Sequence, residues 1–375
     1  MDTFGFQTRI LMGDGMELLA QRYKRVFIVT DAFMEKSGKV SYITDRLSRH
    51  GAEFRIFSEI ASDPDIDMVA KGVGHILEFT PDAVLAFGGG SPIDAAKAIV
   101  YFAGRQADLR DVPFIAVPTT SGTGSEVSRF AVITDRAKGV KYPLIDDCLL
   151  PNYAVLDAAL TASVPPAVTA DTGMDVFTHA VEAYVSTTRN DFTDAMAEKA
   201  IHLVRAHLET VFTHPEDLNA RQEMHNASCL AGIAFSNSGL GLNHGMAHAL
   251  GARFHIPHGR ANAIALPYVM AFNAGLTGTL QPACARYAQI AGMVGLEAVN
   301  TRQGAASLVS FTRRFVEKLK IPATLRAAGV DEREFEQALP DMAAAALADR
   351  CTATNPTPCT VEEVTHLFRS VYTGK

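Results

Sequence analysis

Short β-rich runs alternate with helical periodicity over the first 160 residues, and after about Thr161 the β-rich runs stop. No other property of the chain restricts its fold as much. RVFIVTD (Arg25–Asp31), FRIFSEI (Phe54–Ile60), DAVLAFGGG (Asp82–Gly90) and FIAVPTT (Phe114–Thr120) are runs of strand length. Helical patterns such as VSYITDRLSRHG and DMVAKGVGHILEF lie between them. Strands joined through helices pair in parallel by right-handed crossovers, which predicts a doubly wound α/β domain with a mostly parallel sheet. SRFAVITDRAKGVKYPLI (Ser128–Ile145) reads as a hairpin, with two β-rich arms around a Lys-Gly turn.

Farther on, FTDAMAEKAIHLVRAHLETVF and GAASLVSFTRRFVEKLK place apolar residues at helical spacing, so the second half is predicted to be all-α. Pro165-Pro166 lies at the change and sets the expected boundary, giving domains over 1–165 and 166–375. A chain of 375 residues is long enough for two cores.

Two glycine-bearing turns follow strands. AVLAF-GGG-SPIDAAKAI is strand, three glycines, then a helix, with Ser91 expected at the N-cap, Pro92 at the first helical position and Asp94 at the third. Such a turn lets backbone approach a ligand and aims free N–H groups at it, the arrangement that cradles a pyrophosphate; the bland alternative is a plain strand-to-helix turn. PTTSGTGSE (Pro118–Glu126) adds hydroxyls and two more glycines. Neither is a G-x-G-x-x-G, because Ile93 and Val127 fall where the third glycine belongs. Asp31, ending the first strand run, is placed to accept from ribose hydroxyls and to repel a 2′-phosphate; alternatively it only caps a helix.

The second half holds a set of metal donors. Asp175 and His179 are four residues apart in GMDVFTHAVEAY, as are His244 and His248 in HGMAH, with His255 and His258 close behind. Residues at i, i+4 share a helix face, so one acid and five histidines compete for about four places around an ion. Oxygen with imidazole suits Fe²⁺ or Zn²⁺, and spacing does not choose between them. HGMAH lacks the glutamate of H-E-x-x-H, since Gly245 stands there, so a hydrolytic reading has no base. A nucleotide cradle plus a Lewis-acid metal suggests hydride transfer between an alcohol and nicotinamide, with an unligated histidine beside the metal as proton relay.

Other classes are excluded or weak. Net charge is −7 with no Lys/Arg block, which speaks against nucleic acid as a partner. No run of 18 uncharged apolar residues and no secretory pattern at MDTFGFQTRI occurs, so no membrane association is expected. The five cysteines, at 148, 229, 284, 351 and 359, are never in a CxxC pair, which fits a reduced, cytoplasmic protein.

GGGSPIDAAKAI, PTTSGTGSEV, GMDVFTHAVEAYVS and NHGMAHALGARFHIPHGRANAIALPYVMAFN together resemble the iron-containing (group III) alcohol dehydrogenases, essentially end to end. SGLGLNHGMAHALG and KGVKYPLID look most like the propanol dehydrogenases of propanediol-utilisation operons. The resemblance implies Fe²⁺, replaceable by Zn²⁺, on Asp175, His179, His244 and His258. It leaves His248 near the nicotinamide as the relay, and His255 structural. For NAD it implies Asp31 at the adenosine ribose, Gly89, Gly90, Ser91 and Asp94 around the pyrophosphate, and further contacts at Thr119, Thr120, Thr123, Val132 and Lys141. An aspartate at the position of Asp31 goes with NAD rather than NADP. The family's cofactor and metal meet in the cleft between the two domains. CTATNPTP (Cys351–Pro358) matches a C-terminal loop near that cleft. The expected reaction interconverts short primary alcohols and aldehydes, propanal and 1-propanol first among them. A homodimer or larger homo-oligomer is implied, with possible residence in a bacterial microcompartment. Two rivals remain: an NAD- and metal-using lyase of the dehydroquinate synthase type, which would need more Lys and Arg than Arg253 and Arg260, and a vestigial microcompartment cargo.

Overall fold

The four apolar runs of the N-terminal half become the inner strands and one edge of a single sheet. A computed structural model describes residues 4–107, 109, 111–136 and 140–374, without the side chains of 140 and 141. The chain divides into two compact units, Gly5–Ala162 and Ser163–Lys375, the latter including Phe4.

In the first unit the strands are β1 (Arg9–Met12), β2 (Arg25–Asp31), β3 (Glu53–Ile60), β4 (Ala83–Gly88), β5 (Phe114–Pro118), β6 (Phe130–Asp135), β7 (Val140–Ile145) and β8 (Tyr153–Leu156). Its helices are α1 (Gly15–Arg22), α2 (Ala32–Lys36), α3 (Ser41–Arg49), α4 (Ile66–Phe79) and α5 (Gly90–Ala103). Six strands pair in the order β1-β8-β5-β4-β2-β3, every neighbour parallel. Phe27, Val29, Val84, Ala86 and Ala116 face α4 and α5, while Val26, Ile28, Leu85, Phe87, Ile115 and Val117 face α1 and α3. A sheet covered on both faces needs apolar residues at consecutive positions, which is why these strands read as unbroken apolar runs.

From β2 the chain moves outward to β3, then returns to the other side of β2 with β4 and continues through β5. The direction of travel therefore reverses between β2 and β4, and their carboxyl ends flank the crevice where open α/β sheets bind ligands. The hairpin is present as the antiparallel pair β6–β7, register Phe130↔Ile145 to Asp135↔Val140. Its Lys138-Gly139 turn lies outside the described residues.

Two strands escape the sequence pattern, and one sequence expectation, the α5 cap, needs correction. β1 and β8 carry no clear signal, being four residues each, yet they extend the sheet beyond β5. The N-cap of α5 is Gly89 and the helix begins at Gly90, so Ser91 sits inside the first turn and Asp94 does not reach back to the cap. A glycine cap has no side chain to bond with, and none does here.

The second unit is helical: α6 (Pro166–Val185), α7 (Asp191–Thr213), α8 (Leu218–Ser238), α9 (Leu242–Phe254), α10 (His258–Ala274), α11 (Ala283–Met293), α12 (Thr301–Lys318), α13 (Glu332–Ala348) and α14 (Val361–Thr373). α6 is buried along nearly its whole length, so the polar residues on it must be paired or purposeful. Among the described residues no helix is long and apolar enough to cross a membrane.

Candidate functional site

In the second unit, α6 presents Asp175, His179 and Glu182 at i, i+4 and i+7, one continuous face. α9 brings His244 and His248, and α10 opens with His258. One ligand atom each from Asp175, His179, His244 and His258 lies within 4.8 Å of all the others. Three of the four residues are buried, and the His258 side chain is 40% exposed. The spacing of α10 from α6 depends on Gly259: a Cβ there would overlap the Asp171 carbonyl, whose carbon it would approach to 2.7 Å. Arg260 then clamps the same residue, with Nε and Nη2 donating to the two Asp171 oxygens at 3.2 and 3.1 Å.

Electrostatics inside the set favour a cation. Burial pushes the Asp175 carboxyl up, with His179 and Asn262 acting the other way. Burial and the neighbouring imidazoles hold His244 well below the usual histidine range, hence neutral and able to ligate. Asn262, on α10, donates through Nδ2 to Asp175 Oδ1 at 2.7 Å. The same nitrogen lies 3.1 Å from His244 Nε2 and 3.2 Å from His258 Nε2. A neutral amide with two protons therefore faces three converging acceptors. Lone pairs gathered in this way suit a divalent ion, and the donor set fits iron or zinc.

His248 is not in that set, although its ring stacks on His258 at 5.3 Å between centroids. Its Nδ1 lies 2.8 Å from Asp349 Oδ2, just beyond α13. Burial pushes the Asp349 carboxyl up, but the hydrogen bond and charge of His248, with the Cys351 amide, outweigh it and leave Asp349 below the ordinary range. His255 is outside both groups; at φ +53° it ends α9 in the left-handed conformation. The segment Cys351–Pro358 carries a 3-10 turn and anchors α9, since Asn355 Oδ1 accepts from Leu242 N at 3.1 Å. A Cβ on Gly245 would come within 2.7 Å of the Ala346 carbonyl oxygen, so α9 has no room for the glutamate a hydrolase would need.

In the first unit the nucleotide candidates gather at the carboxyl ends of β2, β4 and β5. Asp31 caps α2, its Oδ1 accepting from Met34 N at 2.9 Å, so the capping role is real. Its Oδ2 faces Gly88, where a Cβ would lie 3.5 Å away. Gly88, at φ +147°, and Gly90 are held open: a Cβ on either would come within 2.8 Å of Pro92 or Thr123. Gly89 lies against Thr120. Thr119 is buried, and its Oγ1 has no hydrogen-bond partner among the described residues. An orphaned hydroxyl beside a glycine-lined helix N-terminus fits a phosphate-bearing ligand. Ser91 lies in the first turn of α5, Val132 is exposed on β6, and Lys141 is in β7 with its side chain outside the described residues.

Asp94 is engaged on both oxygens, accepting from Ser125 Oγ at 2.6 Å and Val132 N at 3.1 Å. Lys97, one turn on and buried, donates to Ser125 Oγ, Ser128 O and Oγ, and Phe130 O at 2.7–3.1 Å. The pair ties the Pro118–Glu126 turn to α5. Burial lowers Lys97 to about 8 and raises Glu126 to about 7. Lys97, Glu182, Asn262 and Asp349 all escape the sequence reading. Glu182 had a signal, since it shares the Asp175–His179 helix face, whereas Asp349 is 101 residues from its partner.

The iron-containing alcohol dehydrogenase family model matches residues 8–158, and the C-terminal model of the Fe-containing alcohol dehydrogenase family matches 169–372. The chain is 42% identical to 1-propanol dehydrogenase PduQ of Salmonella typhimurium, across 99% of this chain and all of that protein. It is 40% identical to an NADPH-dependent butanol dehydrogenase of Clostridium saccharobutylicum, across 94% of this chain and 92% of that one. Among solved structures, a 1,3-propanediol oxidoreductase superposes with a TM-score of 0.92 at 33% identity, covering 99% of this chain and 100% of that one.

Proposed function

The chain belongs to the iron-containing alcohol dehydrogenase family, and from that premise we propose that it interconverts propanal and 1-propanol with NAD(H). It is an alcohol dehydrogenase whose cofactors are NAD and iron. The convergence of Asp175, His179, His244 and His258 carries the mechanistic reading, and we assign the iron to these four. When bound, the iron supplies a Lewis acid for the substrate oxygen and the nicotinamide carries the hydride.

The remaining roles fall to the chain. Glycines 88–90 and the Thr119 hydroxyl receive the pyrophosphate, and Asp31 accepts from the adenosine ribose. Its charge disfavours a 2′-phosphate, which supports NAD even though one relative is NADPH-dependent. His248 holds its Nδ1 proton against Asp349 and exchanges a proton with the alcohol oxygen through Nε2. Asp171 occupies Arg260, so the carboxylated, phosphorylated substrate of a dehydroquinate-type lyase would lack that cation. A vestigial cargo has no need for a converged donor set. We assign the protein to the cytoplasm, as a homo-oligomer associated with a propanediol-utilisation microcompartment; light scattering and fractionation of intact compartments test both assignments.

The experiment is NADH oxidation by the iron-loaded protein with propanal. Activity should vanish with metal in H258A, and full turnover by metal-free protein would end this reading.

A further inference from the structure

Glu182 is wholly buried in α6 and belongs to neither the ligand set nor the nucleotide turns. Its Oε2 is hydrogen-bonded to His244 Nδ1, and its Oε1 accepts from Asn243 N at 2.8 Å. A Cβ on Gly241 would lie 2.7 Å from Oε1, so the glycine before α9 leaves space for the carboxylate. Asn243 continues the chain: its Nδ2 donates to Asn262 Oδ1 at 2.9 Å, and Asn262 donates to Asp175. Two ligands on two helices are thus held by one buried polar string.

We propose that Glu182 is a positioning residue for the metal, fixing His244 as the tautomer protonated on Nδ1 so that Nε2 stays free to ligate. Neutral imidazole carries one proton, and the nitrogen that donates it determines which one can bind a metal. His244 Nε2 lies 3.9 Å from Asp175 Oδ1 and 3.1 Å from Asn262 Nδ2, an amide nitrogen that can only donate. Nε2 is therefore the unprotonated nitrogen inside the converged set, and Nδ1 is left to carry the proton toward Glu182 Oε2. Carboxylates placed in this way on ligating imidazoles orient the ring and raise its basicity.

The competing role is structural, because Glu182 also accepts the Asn243 amide at the start of α9 and so acts as a remote cap. E182Q separates the two. The glutamine oxygen can still receive the Asn243 N–H, but its NH₂ then faces His244 Nδ1, forcing the proton onto Nε2. A cap alone predicts unchanged metal binding. Tautomer control predicts a chain that folds normally yet binds Co²⁺ about 10–100-fold more weakly, with an altered visible Co²⁺ spectrum.

The measurement is Co²⁺ competition against a chromophoric chelator, on stripped and reloaded wild type and E182Q, with apo thermal melts alongside. It rests on the four-ligand reading, and the outcomes are distinct. A wild type that takes up no Co²⁺ ends that reading, and this inference with it. Wild-type uptake matched by E182Q ends this inference alone. If E182Q does not fold, ¹⁵N-histidine spectra of the Zn²⁺-loaded wild type decide. A proton on His244 Nδ1 with Nε2 as the bound nitrogen is expected, and the reverse overturns it.

Discussion

Asp349 Oδ2 lies 2.8 Å from Nδ1 of His248, so the residue just beyond α13 sets the ring of a residue in the middle of α9. The bond leaves Nε2 as the nitrogen available for proton exchange. H248A is expected to lower kcat for aldehyde reduction about 100-fold, the low end for a lost acid–base group. D349N keeps the volume but loses the charge and should cost roughly tenfold in kcat, with KM for propanal little changed. If D349N turns over at the wild-type rate, the dyad has no catalytic part.

At the crevice, Asp31 both caps α2 and brings a negative charge to the end of β2. D31S retains a capping oxygen and removes the charge. Repulsion between unit charges a few ångströms apart is about 1–4 kcal/mol near a surface, so kcat/KM with NADPH should rise roughly tenfold or more relative to NADH. Unchanged discrimination would mean that Asp31 acts only as a cap.

The parts legible in the sequence were those with a period or a run. β2 is bounded by the residues of RVFIVTD because both sheet faces are covered, and the Asp175–His179 spacing announces a shared helix face. What escaped was tertiary. β1 and β8 are strands because each finds a neighbour, with four residues apiece and no alternation to read. The α5 cap escaped because glycine offers no capping side chain, and Asp94 is spent on Ser125 and Val132 instead. Asn262 and Asp349 matter through partners 87 and 101 residues away, a distance no local pattern spans.

Glu126 makes stability depend on pH. Burial raises its carboxyl from 4.5 to about 7, so the folded chain holds a proton that the unfolded chain has lost between those values. The stabilising contribution is full below about 4.5 and gone above about 7. Lys97 runs oppositely: lowered by burial from 10.5 to about 8, it contributes above 10.5 and has lost that contribution below about 8. Both costs therefore operate at pH 7–8. E126Q should be more stable than wild type at pH 7.5, by up to about 3 kcal/mol at 1.36 per pH unit of difference, with the gap closing by pH 5. Urea unfolding at the two pH values measures it, and a gap independent of pH would contradict the assignment.

Gly259 sets how closely α10 can approach α6, and through that approach where His258 and Asn262 stand against Asp175. A Cβ at this position meets the Asp171 backbone carbonyl, which cannot rotate aside as a side-chain tip would. G259A should therefore cost about 1–3 kcal/mol, the usual range for an overpacked contact, rather than gain the fraction of a kcal/mol that alanine gives within a helix. At roughly 2–4 °C per kcal/mol the apo melting temperature falls measurably. Co²⁺ affinity should fall with it, because the displaced helix carries one ligand and the amide that holds another. Gly251 supplies the comparison, since in α9 its added Cβ would make only an ordinary 3.5 Å contact with the Ile256 carbonyl oxygen. G251A should leave both quantities at or slightly above wild type. Equal behaviour of the two variants would show that the α6–α10 spacing tolerates a methyl group and is not what places the ligands.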